Sequence, residues 1–173
     1  MFSTDLSGKS STNASILFAS DIVAPSGGSI TYANGLLNSA SVPITTVNGS
    51  DGASGINTAT TTIRRDFAPL ITATETCGTF PGTYATTVTL VGGSDTSVTS
   101  GNCYRYEYLV SDKVGNQAVD TSTSVARVDT DGPQVTAIES RQSSGGSGNG
   151  VLEVGDKLIL TFNQSLATAT LPR

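Results

Sequence analysis

The sequence predicts an all-β protein centred on a Greek-key β-sandwich of about seven short strands. Three observations point there. First, residues 103–110 alternate: Tyr104, Tyr106, Tyr108 and Val110 fall on one face, and Cys103, Arg105, Glu107 and Leu109 on the other. That is the period of two of a strand with one apolar face. Second, the chain carries 19 glycines and abundant Ser and Thr, against only 13% charged residues. Thr and Val favour strands, and Gly and Ser favour turns. Third, no window carries the 3.6-residue period of a helix, while turn clusters recur at regular spacing.

The tyrosine segment anchors the sheet, because each buried aromatic ring can contribute roughly 150–250 Å². It ends in the polar turn Asp112-Lys113-Val114-Gly115-Asn116. The other expected strands, in order, are Ser29 to Tyr32, Val42 to Val47, Ile56 to Arg65, Leu70 to Cys77, Tyr84 to Val91 and Ser122 to Val128. Pro43 cannot donate to a ladder, so it belongs at a strand start or an edge. Residues 51–55 (DGASG) and 92–95 (GGSD) read as turns.

An internal echo sets the domain boundaries. Asp5-Leu6-Ser7-Gly8-Lys9 lines up with residues 112–116, and Asp21-Ile22-Val23-Ala24-Pro25 with Asp129-Thr130-Asp131-Gly132-Pro133. Between these anchors lies a strand-like run in both copies, Ile16 to Ala19 and Val125 to Val128. A repeat of this size is a whole domain. Residues 1–20 therefore read as the end of a preceding repeat and 21–131 as one complete sandwich. Residues 132–173 read as the truncated start of the next module. In that last part Val135 to Glu139 and Lys157 to Phe162 read as strands, and residues 143–150 as a Gly/Ser loop.

The residues SDKVGN at 111–116, the VDTDGP junction at 128–133, and the pair Cys77 and Cys103 resemble the bacterial immunoglobulin-like repeats of large secreted and cell-surface proteins. ASDIVAPSGGSITYANG at 19–35 and DGASGI at 51–56 are similar to the start and middle of such a module. The resemblance implies a non-catalytic extracellular spacer, stalk or adhesion segment. Its partners would be neighbouring repeats, and host-surface or polysaccharide ligands. It implies no activity. An alternative is an accessory module of a secreted polysaccharide-active enzyme, spacing the catalytic domain or binding carbohydrate.

Charge and composition narrow the function classes. The net charge is −5, so no basic patch is available for nucleic acid. No run of ~18 apolar residues could cross a membrane as a helix. The first residues lack a signal-peptide pattern, so the export signal of an extracellular protein would lie outside this chain. Histidine is absent, which removes the commonest general base and the commonest metal ligand. No nucleophile–base signature can be assembled.

Two candidate sites remain. Cys77 and Cys103 suit a structural disulfide, worth ~3.5 kcal/mol on the chain-entropy account. Because Tyr104 faces the core, Cys103 belongs on the opposite face or near the strand end, unlike the inter-sheet bridge of antibody domains. Asp129 and Asp131 are the candidate calcium ligands, joining loop acids of the following module. Ordinary turn chemistry is the competing and favoured reading of the same two acids. Asp112 lies at the other end of the sandwich from Asp129, so the two should not share an ion.

Overall fold

The computed structural model describes residues 4, 6–9, 19–142 and 154–166. The expected strand at residues 16–18 and the Gly/Ser loop at 143–150 lie outside the described residues. The chain is an all-β protein, and its strands pack as a β-sandwich. In order they are β1 (Ser29–Tyr32), β2 (Gly35–Leu37), β3 (Val42–Val47), β4 (Thr62–Ile71), β5 (Thr76–Cys77) and β6 (Thr86–Val88). Then come β7 (Ser94–Asp95), β8 (Asn102–Ser111), β9 (Gln117–Thr121), β10 (Ala126–Val128), β11 (Val135–Arg141) and β12 (Lys157–Phe162). A 3-10 turn covers Thr58–Thr60.

One layer is the three-stranded sheet β1-β3-β7. The other is seven-stranded, with the path β2-β10-β8-β4-β5, and with β6 on β4 and β9 on β8. Its centre is the β4–β8 ladder, antiparallel from Thr62↔Leu109 to Pro69↔Asn102. That register sets the faces. Ile63, Arg65 and Phe67 share the inner face with Tyr108, Tyr106 and Tyr104, while Arg64, Asp66 and Ala68 share the outer face with Glu107, Arg105 and Cys103. Tyr104, Tyr106, Tyr108 and Val110 are buried together with Ile30, Tyr32, Val42, Ile44, Val88, Val98, Ala126 and Val128. A separate two-stranded sheet, β11-β12, follows. It touches the sandwich where Gln164 Nε2 donates to the Asp131 carbonyl at 3.1 Å.

The sandwich contains ten strands where the sequence suggests about seven, and the differences have local causes. Residues 33–34 carry the first strand out of the small sheet, so β1 and β2 belong to different layers. The expected Ile56 to Arg65 strand begins only at Thr62, because the Asn57 side chain accepts from the Ala59 N–H at 3.2 Å and caps a 3-10 turn. The same strand then runs through Pro69 to Ile71, beyond its expected end. A turn at residues 72–75, held by Thr74 N–H to the Ile71 carbonyl, divides the expected Leu70 to Cys77 strand. Tyr84 to Val91 shrinks to β6, and Ser94–Asp95 leave the expected turn to pair with Val42 and Pro43. Gln117–Thr121, not expected as a strand, forms a hairpin with β8. Only Ala126–Val128 of the expected Ser122 to Val128 strand pairs again.

That last interruption leaves a gap beside the middle of β8. β10 covers residues 102–104 and β9 covers 107–111. Tyr32, from the opposite sheet, fills it. Its hydroxyl accepts from the Tyr106 N–H at 3.2 Å and donates to the Ser124 carbonyl at 2.7 Å. The hydroxyl thus stands where a strand residue would. The Tyr32 ring meets the Tyr106 ring edge-on with centroids 4.9 Å apart.

The core also holds a polar knot. Asp95 is fully buried. Its Oδ2 accepts from Arg65 Nη1 at 2.6 Å and from the Tyr106 hydroxyl at 3.0 Å, and its Oδ1 accepts from the Ser97 N–H and hydroxyl. A charge without partners would not survive here; with four donors it ties β7 to the large sheet. Burial pushes the Asp95 carboxyl up, but the Ser97 and Arg65 hydrogen bonds outweigh it and hold the group below the usual carboxylate range.

Candidate functional site

Cys77 and Cys103 form a disulfide with Cα atoms 5.9 Å apart. Cys103 is on the outer face, opposite Ala68 and Arg127 in the neighbouring strands. The bridge therefore staples β5 to β8 on the outside of one sheet and does not join the two layers. Next to it, Arg105 pairs with Asp66 at 3.0 Å and lies under the Phe80 ring, 3.9 Å from its centroid. The Gly82 N–H donates to the same Asp66 carboxylate at 2.8 Å. Residues 78–85 thus fold back over this face. Further along it, Arg64 Nη2 lies 2.6 Å from Glu107 Oε1.

Asp129 and Asp131 lie just past β10, at the end of β8 that begins with Asn102. Their contacts are those of a turn. Asp131 N–H donates to Asp129 Oδ1 at 3.1 Å, and the Ser100 hydroxyl donates to Asp131 Oδ2 at 2.8 Å while accepting from Thr130 N–H at 3.0 Å. Both carboxylates border a shallow hollow with Leu37, Glu75 and Gln164. Asp112 is at the opposite end of β8, as expected from strand direction.

The acids that converge are Asp21, Asp51 and Asp112. One carboxylate oxygen from each lies within 4.8 Å of the others. Three short loops put them there. Asp51 closes residues 51–55 through Gly55 N–H to its Oδ1 at 2.6 Å. Asp112 closes 112–116, its Oδ1 accepting from Val114, Gly115 and Asn116 N–H groups and its Oδ2 from Asn116 Nδ2 at 2.7 Å. Gly115 takes φ +98°, a region that side chains rarely enter. Asp21 is held by Ser54 N–H to its Oδ2 at 2.9 Å and by Asn116 Nδ2 to its carbonyl at 3.2 Å.

The electrostatics follow from these bonds. The Ser54 and Val23 donors lower the Asp21 carboxyl. Burial raises Asp112, but the Asn116, Gly115 and Val114 donors outweigh it and bring the group below its ordinary value. Asp112 is only 1% exposed. Its donors are the N–H groups of its own turn and the Asn116 side chain, and its backbone bridges Ile56. Three ionised carboxylates so close together repel one another, and a divalent cation would relieve that. Short acids on loops are the ligands that Ca²⁺ takes.

Sequence reasoning singled out Asp129 and Asp131 and passed over Asp21 and Asp51. A signal was present. Asp21 occupies the place of Asp129 in the internal echo. The structure brings Asp21 to the loops at residues 51–55 and 112–116. Comparison of the chain with protein-family models, with curated proteins and with solved structures gave no match.

Proposed function

We propose that this chain is a non-catalytic extracellular spacer, an immunoglobulin-like module repeated along a bacterial surface or secreted protein. One observation carries the reading: the chain enters and leaves the sandwich at opposite poles. Asp21 is bonded to Ser54 and Asn116, just beyond the Ser111 end of β8. Thr130 and Asp131 are bonded to Ser100, just before its Asn102 end. The ten residues of β8 separate the poles by ~30 Å. Modules joined through such poles stack end to end, which is the geometry of a stalk. Pro133 and its neighbours stiffen the exit further.

The carbohydrate-binding alternative needs a flat, exposed aromatic platform. Tyr32, Tyr104, Tyr106 and Tyr108 are buried, and Phe67, at 52%, is the only aromatic ring classed as exposed among the described residues. That favours the spacer. Calcium belongs to this reading at the entry pole, with Asp21, Asp51 and Asp112 as its holders; Asp129 would serve the next module in the same way. Binding at ten times Kd would stabilise by about 1.4 kcal/mol. A rise in melting temperature with millimolar Ca²⁺, lost in Asp51→Asn, is expected. No shift would leave turn chemistry as the whole role of these acids.

Small-angle scattering tests the spacer. Fusing a second copy of residues 21–131 in tandem should lengthen the particle by about 30 Å or more. A tandem particle that grows in girth and not in length overturns the reading.

A further inference from the structure

We propose that Asn48-Gly49 is a self-modification site, at which the Asn48 side-chain amide is lost as ammonia to attack by the Gly49 backbone nitrogen, with the Tyr108 hydroxyl as the catalytic donor.

Among the described residues the Asn-Gly pair occurs twice, at 34–35 and at 48–49. The pair is reactive because glycine has no side chain to keep its nitrogen away from the preceding amide carbon. The fold treats the two pairs in opposite ways. At the first, both reacting groups are engaged. The Gly35 N–H donates to the Val125 carbonyl at 3.0 Å, and Asn34 Oδ1 accepts from the Val125 N–H at 3.1 Å. At the second, the Gly49 N–H has no hydrogen-bond partner among the described residues.

The carbonyl side of the second pair is prepared for attack. The Tyr108 ring is buried in the core, and its hydroxyl donates to Asn48 Oδ1 at 2.6 Å. Attack on the amide carbon drives negative charge onto that oxygen, and a donor already in place stabilises it. The glycine is also demanded by the fold. Gly49 takes φ +73°, and a Cβ there would lie 2.2 Å from the Ser26 carbonyl oxygen. The backbone on either side is fixed, by the Ser29↔Val47 pair and by the Ser26↔Ser50 bridge. Structure therefore places a glycine behind Asn48, and Tyr108 against its amide.

The reaction needs only water. Water takes the Gly49 amide proton as the nitrogen bonds to Cγ. The Cγ–Nδ2 bond breaks, and Nδ2 leaves as ammonia with the proton that water returns. A five-membered succinimide remains. Water then adds to one of its two carbonyls. Cleavage of the new Cγ–N bond gives aspartate at position 48. Cleavage of the original peptide bond gives iso-aspartate, with the chain running through Cγ. Either product makes the net charge one unit more negative than −5. The iso form adds one backbone atom between the Ser29↔Val47 pair and the Ser26↔Ser50 bridge, so the two cannot both keep their register.

Peptide mapping by mass spectrometry tests this on the intact chain, aged at neutral pH and body temperature. Each site is read separately, including Asn149-Gly150, which lies outside the described residues. Asn48 should convert severalfold faster than Asn34. In concentrated urea the two rates should converge, since both pairs read Asn-Gly and only the fold separates them. Tyr108→Phe keeps the ring and removes the donor. A donor in an enzyme's oxyanion hole is worth about 100-fold or more in a site closed to water. Asn48 is half-buried, so a severalfold slowing is expected at Asn48 and none at Asn34. A hydroxyl that merely held the side chain still would give the opposite result, faster conversion once removed. Asn34 converting as fast as Asn48, a rate gap that persists in urea, or undiminished conversion of Asn48 in Tyr108→Phe would each overturn the proposal.

Discussion

Replacing Tyr32 by Phe removes one oxygen and leaves two backbone groups without their partner. The Tyr106 N–H, 3.2 Å from that oxygen, sits in the gap between β9 and β10, in a residue with no exposed surface. The Ser124 carbonyl, 2.7 Å away, is half-buried and has a second lone pair for water. An orphaned buried donor costs ~1–3 kcal/mol, and a carbonyl near solvent costs less. The edge-on contact with the Tyr106 ring survives in Phe. The expected loss is therefore about 2–3 kcal/mol, nearly all from hydrogen bonding. Urea unfolding measures it as a drop in midpoint at constant slope, since the surface exposed on unfolding hardly changes. Tyr108→Phe is the internal control. Its hydroxyl donates to Asn48 Oδ1 at 2.6 Å, but Asn48 is half-buried and can turn to water. It should lose about 1 kcal/mol. A Tyr32→Phe loss within the ±0.5 kcal/mol typical of surface substitutions would refute the claim that this hydroxyl replaces a strand.

Other outcomes follow from the same contacts. Reducing the Cys77–Cys103 bridge should destabilise the sandwich by about 3.5 kcal/mol, read as a lower urea midpoint with reductant present. Arg65→Met leaves Asp95 buried and charged, with Ser97 and Tyr106 as its remaining donors. A loss of about 3 kcal/mol is expected by calorimetry, and a second change, Asp95→Asn, should recover part of it. Stability should fall at both extremes of pH. The depressed acids Asp21, Asp95 and Asp112 contribute fully above the unfolded value of about 3.9, and that contribution is lost as pH drops through their lower folded values. Tyr32 and Tyr106, raised by burial, contribute fully below about 10, and their contribution is lost above it because the unfolded chain ionises first. Urea midpoints at about pH 3, 7 and 10.5 should therefore peak in the middle. Equal midpoints at pH 7 and pH 3 would count against the acid bonds.

Some of the fold is legible in single residues. The alternation from Cys103 to Val110 fixes which side chains fill the core, because a strand turns every second residue to the same face. Placing Cys103 on the outer face follows from that alternation alone. The strands that sequence reading missed have little local signal. Gly35-Leu36-Leu37 is a strand only because β10 lies beside it. Gln117–Thr121 is mixed in polarity and owes its pairing to the tight turn that Asp112 closes. The continuation of β4 past its expected end at Arg65 is masked by a charge at Asp66 and a proline at Pro69. Ion-pair partners, Glu107 and Arg105 on β8 and Asp95 on β7 of the opposite sheet, take up the charges of Arg64, Asp66 and Arg65.

The acidic pole shows the same division. Each of the turns at Asp51 and Asp112 is readable locally, since a short carboxylate bonded to the following N–H groups needs only its own loop. The sequence by itself determined the strand-and-turn character of the chain, the tyrosine face and the cysteine pair. These depend on residue type, on residues close together and on period. Only the tertiary structure decided that Asp21 meets Asp51 and Asp112, that Tyr32 closes a gap in the opposite sheet, and that β2 and β10 lie parallel. Those contacts join segments up to 95 residues apart. Their energy comes from groups being satisfied across layers, which no local pattern encodes.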